Sequence, residues 1–282
     1  MNTRPYLAAI IVALIGTSQA ADLIAPPAVP AHPAPGSLLP GGPAKWQLKW
    51  SDEFDYPDSK LEDRWISQNS ASTHILSSRW RENAVVANGT LKLLNKKEKR
   101  GGNDWTSGNI WTKEHFQYGY FECRYRYAAA SGTNNSFWIM TNTKPPEGKK
   151  SFEIDINEGH YPNKVNTNIH NHSDTIVVKG KKTHPTSSRS FSFGTKQKDN
   201  KPAPADFAKE FHTYGLDWSA DELVFYMDGK ELRREKNQFC HSPAPVWLSL
   251  AIIAWGGKIT DAIDGTFMEV DYVRVYLPRN PR

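Results

Sequence analysis

The run Ser151-Phe152-Glu153-Ile154-Asp155-Ile156-Asn157-Glu158 sets three carboxylates within six positions of a segment that otherwise reads as a β-strand. Glu153 and Asp155 are two apart, so a pleated strand turns both to the same face. Glu158 is five residues on from Glu153, and an unbroken strand would send it to the opposite face. One extra residue bulged out near Ile156 or Asn157 restores the phase and gathers all three acids on one surface. Like charges there oppose one another, so one carboxyl should keep its proton to higher pH than its neighbours. One carboxylate beside one carboxylic acid is the pair that cleavage of a glycosidic bond requires. A solvated acidic edge strand, or a calcium site fed by carboxylates, would use the same residues.

Working outward, the chain reads as all-β. Asn88-Gly89 before Thr90-Leu91-Lys92-Leu93-Leu94 is a turn leading into a strand, and residues 223–232 form a hairpin around Asp228-Gly229. Residues 118–127 alternate, with Tyr120, Glu122, Arg124 and Arg126 on one face; residues 246–254 and 267–276 supply two more strands. The single candidate for a helix is a turn near Ala205–Glu210. Many short strands with turn signals and no βαβ alternation predict a two-sheet antiparallel sandwich.

The flanks set the domain limits. Arg4, the apolar stretch Leu7–Ile15 and the small-residue site Ser18-Gln19-Ala20 form an export signal over residues 1–20. The apolar run is too short for a membrane span, so no stable membrane anchor is expected, and the chain is assigned to the periplasm or the extracellular space. Residues 21–45 are rich in Pro and Ala and read as an extended linker without a core. One domain then covers residues 46–278, with 279–282 as a tail. A 282-residue chain of net charge +5 permits an anionic polymer as substrate without demanding one, and no nucleic-acid partner is expected. Its ten Trp, eleven Tyr and twelve Phe suit either a sugar-binding groove or an aromatic sandwich core. Cys123 and Cys240 could pair in an oxidising compartment, but two distant cysteines do not establish it. So few thiols, with His170 and His172 as the only close histidine pair, argue against zinc.

The acidic run resembles the ExDxxE signature of glycoside hydrolase family 16, and flanking blocks match that family in order. They are Ser51-Asp52-Glu53-Phe54-Asp55, then Asn83 with Asn88-Gly89-Thr90-Leu91, then Thr106-Ser107-Gly108-Asn109. Tyr118-Gly119-Tyr120-Phe121-Glu122, Phe137-Trp138 and Val270-Asp271-Tyr272-Val273-Arg274-Val275-Tyr276 follow. The resemblance spans about residues 48–277 and implies a β-jelly-roll sandwich of the concanavalin A-like kind with a concave cleft. It also implies a retaining endo-hydrolase with Glu153 as nucleophile, Glu158 as general acid/base and Asp155 as the carboxylate that supports the pair. Asp155 is expected to hydrogen-bond Glu153 and set its ionisation.

By motif, Trp138 matches a tryptophan beneath the sugar next to the scissile bond. Asn83 and Arg81 could bind hydroxyls or a sulfate, Trp105 and Trp111 could line the groove, and Trp255 could wall its far side. His170 or His172 could bind hydroxyls on the leaving-group side. No cofactor is required, though a structural calcium away from the cleft is compatible with the sequence, and a monomer is expected. Laminarinases of the family commonly carry "WPAFW" before the acids, whereas this chain has Asn134-Asn135-Ser136-Phe137-Trp138. That resembles the agarase and porphyranase branch, and ExDxxE rather than ExDxE argues against the lichenase and xyloglucan branches. The expectation is a red-algal galactan of agar or porphyran type, with κ-carrageenan a further candidate and the β-1,3-glucan laminarin as the alternative. The basic run Lys179–Lys182 is an ordinary solvated loop or a contact for a sulfated chain. A non-catalytic carbohydrate-binding sandwich and a calcium-stabilised envelope domain are the competing classes.

Overall fold

The computed structural model describes residues 33–196 and 202–280; the expected export signal lies outside them. Two large antiparallel sheets pack face to face. The first orders its strands as Thr186–Ser192, Lys164–Asn171, Phe152–His160, Thr133–Met140, Val246–Ile252, Asn109–Thr112 and Trp65–Ser67. The second runs from Lys230–Lys236 through Glu222–Met227, His212–Trp218 and Gly119–Arg126 to the long strand Phe267–Pro278. That strand also pairs with Trp46–Asp52 and with Thr90–Leu94, which is followed by Ala84–Ala87 at the edge. The architecture is the expected jelly-roll sandwich.

Local chemistry accounts for the turns. Asn88 and Gly89 have φ of 56° and 73°, and Asp228 and Gly229 have 50° and 76°. Two successive positive φ values match the right-handed twist of paired strands, which is why Asn-Gly and Asp-Gly close these two hairpins. Alternation builds the core: Phe137, Ile139, Phe152 and Ile154 of the first sheet meet Phe121, Tyr125, Val273 and Val275 of the second, all fully buried. Among the described residues no helix is long and apolar enough to cross a membrane.

Two expectations are corrected here, and the question of Cys123 and Cys240 is answered. The segment near Ala205–Glu210 is a turn anchored by buried Phe207, and the one α-helix among the described residues is the single turn Leu61–Arg64. Cys123 and Cys240 are free buried thiols, not a disulfide. The linker does not extend to residue 45. Leu39 is buried against Trp46, Tyr120, Val224, Tyr226 and Tyr276, and the Trp46 indole N–H donates to Pro40 O at 2.9 Å. A Pro-rich composition disfavours regular structure beyond a short turn such as the 3-10 helix Pro43–Lys45, but it does not preclude anchoring, since one Leu with aromatic neighbours buries enough apolar surface to hold the chain down.

Candidate active site

The acid strand, Phe152–His160, carries the expected bulge. Against Lys164–Asn171 its register jumps between Asp155 and Glu158, and against Thr133–Met140 between Asp155 and Asn157. The inward side shows the extra residue directly. Ile156 joins the core, and its neighbour Asn157 also points inward, donating to Tyr125 Oη at 2.7 Å and Tyr127 Oη at 2.8 Å. Two consecutive residues on one side leave Glu153, Asp155 and Glu158 together on the other. Gly159 completes the local logic: a Cβ there would fall 2.3 Å from Tyr127 Cζ, so only glycine lets the strand pass the ring that Asn157 bonds.

Register extends the site across the sheet. Trp111, Trp247, Trp138, Asp155 and Asn168 occupy one transverse row, and Met140, Glu153, His170 and Thr186 the next. Trp111 stacks on Trp247 at 4.5 Å between centroids, and Trp247 on Trp138 at 4.9 Å. A continuous aromatic platform thus leads up to the acids from one flank. Trp247 holds it in place by donating its indole N–H to Met140 O at 3.1 Å.

On the other flank the acids meet the Asn168 amide and two imidazoles, while Asn134 reaches Glu158 from the platform side, on the strand Thr133–Met140. Asn168 Nδ2 donates to Asp155 Oδ2 at 3.1 Å and to Glu158 Oε2 at 2.7 Å, while Asn134 Nδ2 donates to Glu158 Oε1 at 2.5 Å. His170 Nε2 lies 3.3 Å from Asp155 Oδ2, and His172 Nε2 lies 3.0 Å from Glu153 Oε2. Burial and the charge of Asp155 push the Glu158 carboxyl up to about 7, against the opposing pull of the Asn134 bond. Burial and the charge of Glu153 push Asp155 up to about 6. His170 loses basicity to burial but regains more from Asp155, Glu153 and Glu158 together, so it ends above the usual imidazole value. The site therefore offers a carboxyl that holds its proton near neutrality beside a second carboxylate with an exposed edge. That is the division of labour an acid and a nucleophile need.

The bonds of Asp155 differ from expectation. They run to Asn168 and His170, not to Glu153. Its influence on the pair is electrostatic, through the charge it sets beside Glu158.

Of the other expected residues, Trp138, Trp111, His170 and His172 stand on the face of the acids. Trp255 is half exposed beyond the end of the strand Val246–Ile252 that borders Asn134. Three do not reach the site. Asn83 is fully buried, donating to Leu94 O and Thr106 Oγ1, and a Cβ on Gly108 would lie 2.6 Å from Asn83 O. Two motif blocks are thus tied together because they pack on each other. Arg81 is committed to Asp58 and Ala84 O. Trp105 is buried with Ala130, Ile252 and Ile263. Trp247, Asn134, Asn168 and His184 were missed as site residues; strand register brings the first three to the acid face, and His184 arrives from the connection before Thr186–Ser192 to pack on His170 and His172.

Residues 73–274 match the sequence model of Glycosyl hydrolases family 16, and the chain belongs to that family. It is a glycoside hydrolase. It is 29% identical over 275 residues to the κ-carrageenase of Pseudoalteromonas carrageenovora, covering 86% of this chain and 67% of that protein. It is 27% identical over 263 residues to a β-glucanase of Rhodothermus marinus, covering 82% and 85%. The catalytic domain of the endo-1,3-β-glucanase (laminarinase) from Thermotoga petrophila RKU-1 superposes with a TM-score of 0.68 at 25% identity, over 83% of this chain and 99% of that one.

Proposed function

We propose that this chain is an exported retaining endo-β-glycosidase in which Glu153 is the nucleophile and Glu158 the general acid/base. The observation that carries the assignment is the bulge that sets both on one face, with Glu158 held protonated to about 7. Glu158 protonates the glycosidic oxygen while Glu153 attacks the anomeric carbon, breaking that C–O bond and forming a glycosyl-enzyme ester. Glu158, now a carboxylate, takes a proton from water as that water attacks the same carbon. The ester opens, Glu153 is freed, and two inversions give net retention. Asp155, held by Asn168 and His170, supplies the negative charge that delays ionisation of Glu158.

The proposed substrate is a β-linked red-algal galactan of agar or porphyran type, neutral or sulfated. Support comes from the floor beside the acids, where Asn134 and Ser136 pair with Ala251 and Ser249. Small and polar side chains leave depth there for the axial groups of a galactan, where a larger ring would make the floor flat. A second reading, endo-β-1,3-glucanase, is favoured by the aromatic platform and by the laminarinase and β-glucanase similarities.

The test is release of reducing ends from agarose, porphyran, κ-carrageenan and laminarin, with Glu153→Gln as control. Cleavage of one galactan that vanishes in the variant is the expected result. Cleavage of laminarin alone would keep the mechanism and replace the substrate. A Glu153→Gln protein with full activity would overturn the nucleophile assignment.

A further inference from the structure

Opposite the tryptophan platform, two imidazoles contact the acids and a third packs across both. His170 and His172 lie parallel, with ring centroids 5.9 Å apart and planes 2° from coplanar orientation. His184, from the segment before the strand Thr186–Ser192, sets its ring across both at 5.1 Å and 4.8 Å. Each ring has a distinct contact. His170 spans Asp155 with Nε2 and reaches His184 Nε2 (2.9 Å) and Thr186 Oγ1 (3.0 Å) with Nδ1. His172 Nε2 meets Glu153 Oε2 at 3.0 Å. The Glu153 carboxylate can only accept, so Nε2 of His172 carries the proton in that bond.

The backbone keeps His172 in register with the nucleophile. His172 N donates to Ser151 O at 2.9 Å, and Ser151 N donates to Ser173 Oγ at 2.8 Å, two residues before Glu153. The histidine is thereby laced to the same strand end that carries the acid.

We propose that His172 is a positioning residue for the nucleophile, with His184 as the wedge that keeps its ring in place. A glutamate side chain turns about three bonds, and one only partly buried, as Glu153 is, samples rotamers in which neither oxygen faces the anomeric carbon. The His172 bond holds Oε2 and leaves Oε1 as the attacking atom. The bond acts on the reacting geometry and not on the sugar, so its loss appears in turnover more than in binding. This inference rests on Glu153 being the nucleophile.

The experiment compares His172→Ala, His172→Gln and His184→Ala with the wild-type chain and Glu153→Gln, on whichever of agarose, porphyran, κ-carrageenan or laminarin the wild type cleaves. Thermal melts accompany the kinetics. His172→Ala is expected to lower kcat by about ten- to a hundredfold with KM changed less than about threefold. His172→Gln, whose amide still donates, is expected to recover most of that loss, and His184→Ala to show a smaller loss in the same direction. A wild-type kcat in His172→Ala, a loss confined to KM, or no recovery in His172→Gln would each overturn the proposal. If His172→Ala does not fold, the kcat of His172→Gln and His184→Ala decides: near wild type and modestly reduced supports it, and both at Glu153→Gln levels overturns it. Activity in Glu153→Gln would instead remove the nucleophile assignment beneath it.

Discussion

Two glutamates in this molecule are pushed up to about 7 by burial, and only one of them is proposed to act in catalysis. Glu158 sits on the outward face of the first sheet, among Asn134, Asn168 and Asp155. Glu122 sits on the outward face of the second sheet, beneath Tyr276 and near Arg274, which itself pairs with Glu53. Desolvation is the largest cause in both. The difference is in what surrounds them. Each has a like charge nearby, Asp155 for Glu158 and Glu53 for Glu122, but Glu53 is paired with Arg274 and Tyr276 donates to Glu122, whereas the aromatic platform leads up to the strand that carries Glu158. A raised carboxyl is therefore a consequence of burial, and it can serve as an acid catalyst only where a second carboxylate without an arginine partner and an approach for substrate converge.

The contrast can be broken most strongly at Glu158. Glu158→Gln should lower kcat by roughly 10²–10⁴-fold. In the wild type, activity should fall as pH rises through about 7, because the protonated form is the acid and is lost above that value. The variant should lose this limb, and a wild-type pH–rate profile in Glu158→Gln would return Glu158 to the same standing as Glu122.

The approach is tested next. Trp247→Ala removes the ring between Trp111 and Trp138, and should reduce kcat/KM by about tenfold, the scale of one or two lost aromatic contacts. An unchanged kcat/KM would make the platform part of the core alone.

The smallest effect on activity belongs to Glu122. Glu122→Gln should leave kcat and KM unchanged and alter only stability. Between the ordinary carboxyl value of 4.5 and about 7, the native state retains a proton that the unfolded chain has released, so stability falls as pH rises through that window. The glutamine variant should flatten the dependence of Tm on pH there, with a relative gain of about 1–3 kcal/mol at pH 8. An unaltered slope would mean that Arg274 already compensates the buried charge.

How much of this was legible in the chain depends on the range of the interaction. Alternation, Asn88-Gly89 and Asp228-Gly229 are local, and they specified the sandwich and two of its hairpins. The phase of the acidic run implied its own bulge, since three acids can share one face in no other way. Asn83 misled because a residue can belong to a motif by packing under Gly108 as well as by touching substrate. The linker misled because composition speaks of regular structure and says nothing about Leu39 finding Tyr120 and Tyr276.

By itself the sequence determined the fold class, the family and the identity of the three acids, because period-2 patterning and the spacing of Glu153, Asp155 and Glu158 are properties of neighbouring residues. Only the tertiary structure decided which groups act on those acids. Asn134, Asn168 and His172 reach them, and Trp247 and His184 pack on the residues that do, across strands and loops that join residues far apart in the chain, and hydrogen bonds, ring stacking and desolvation depend on distance in space.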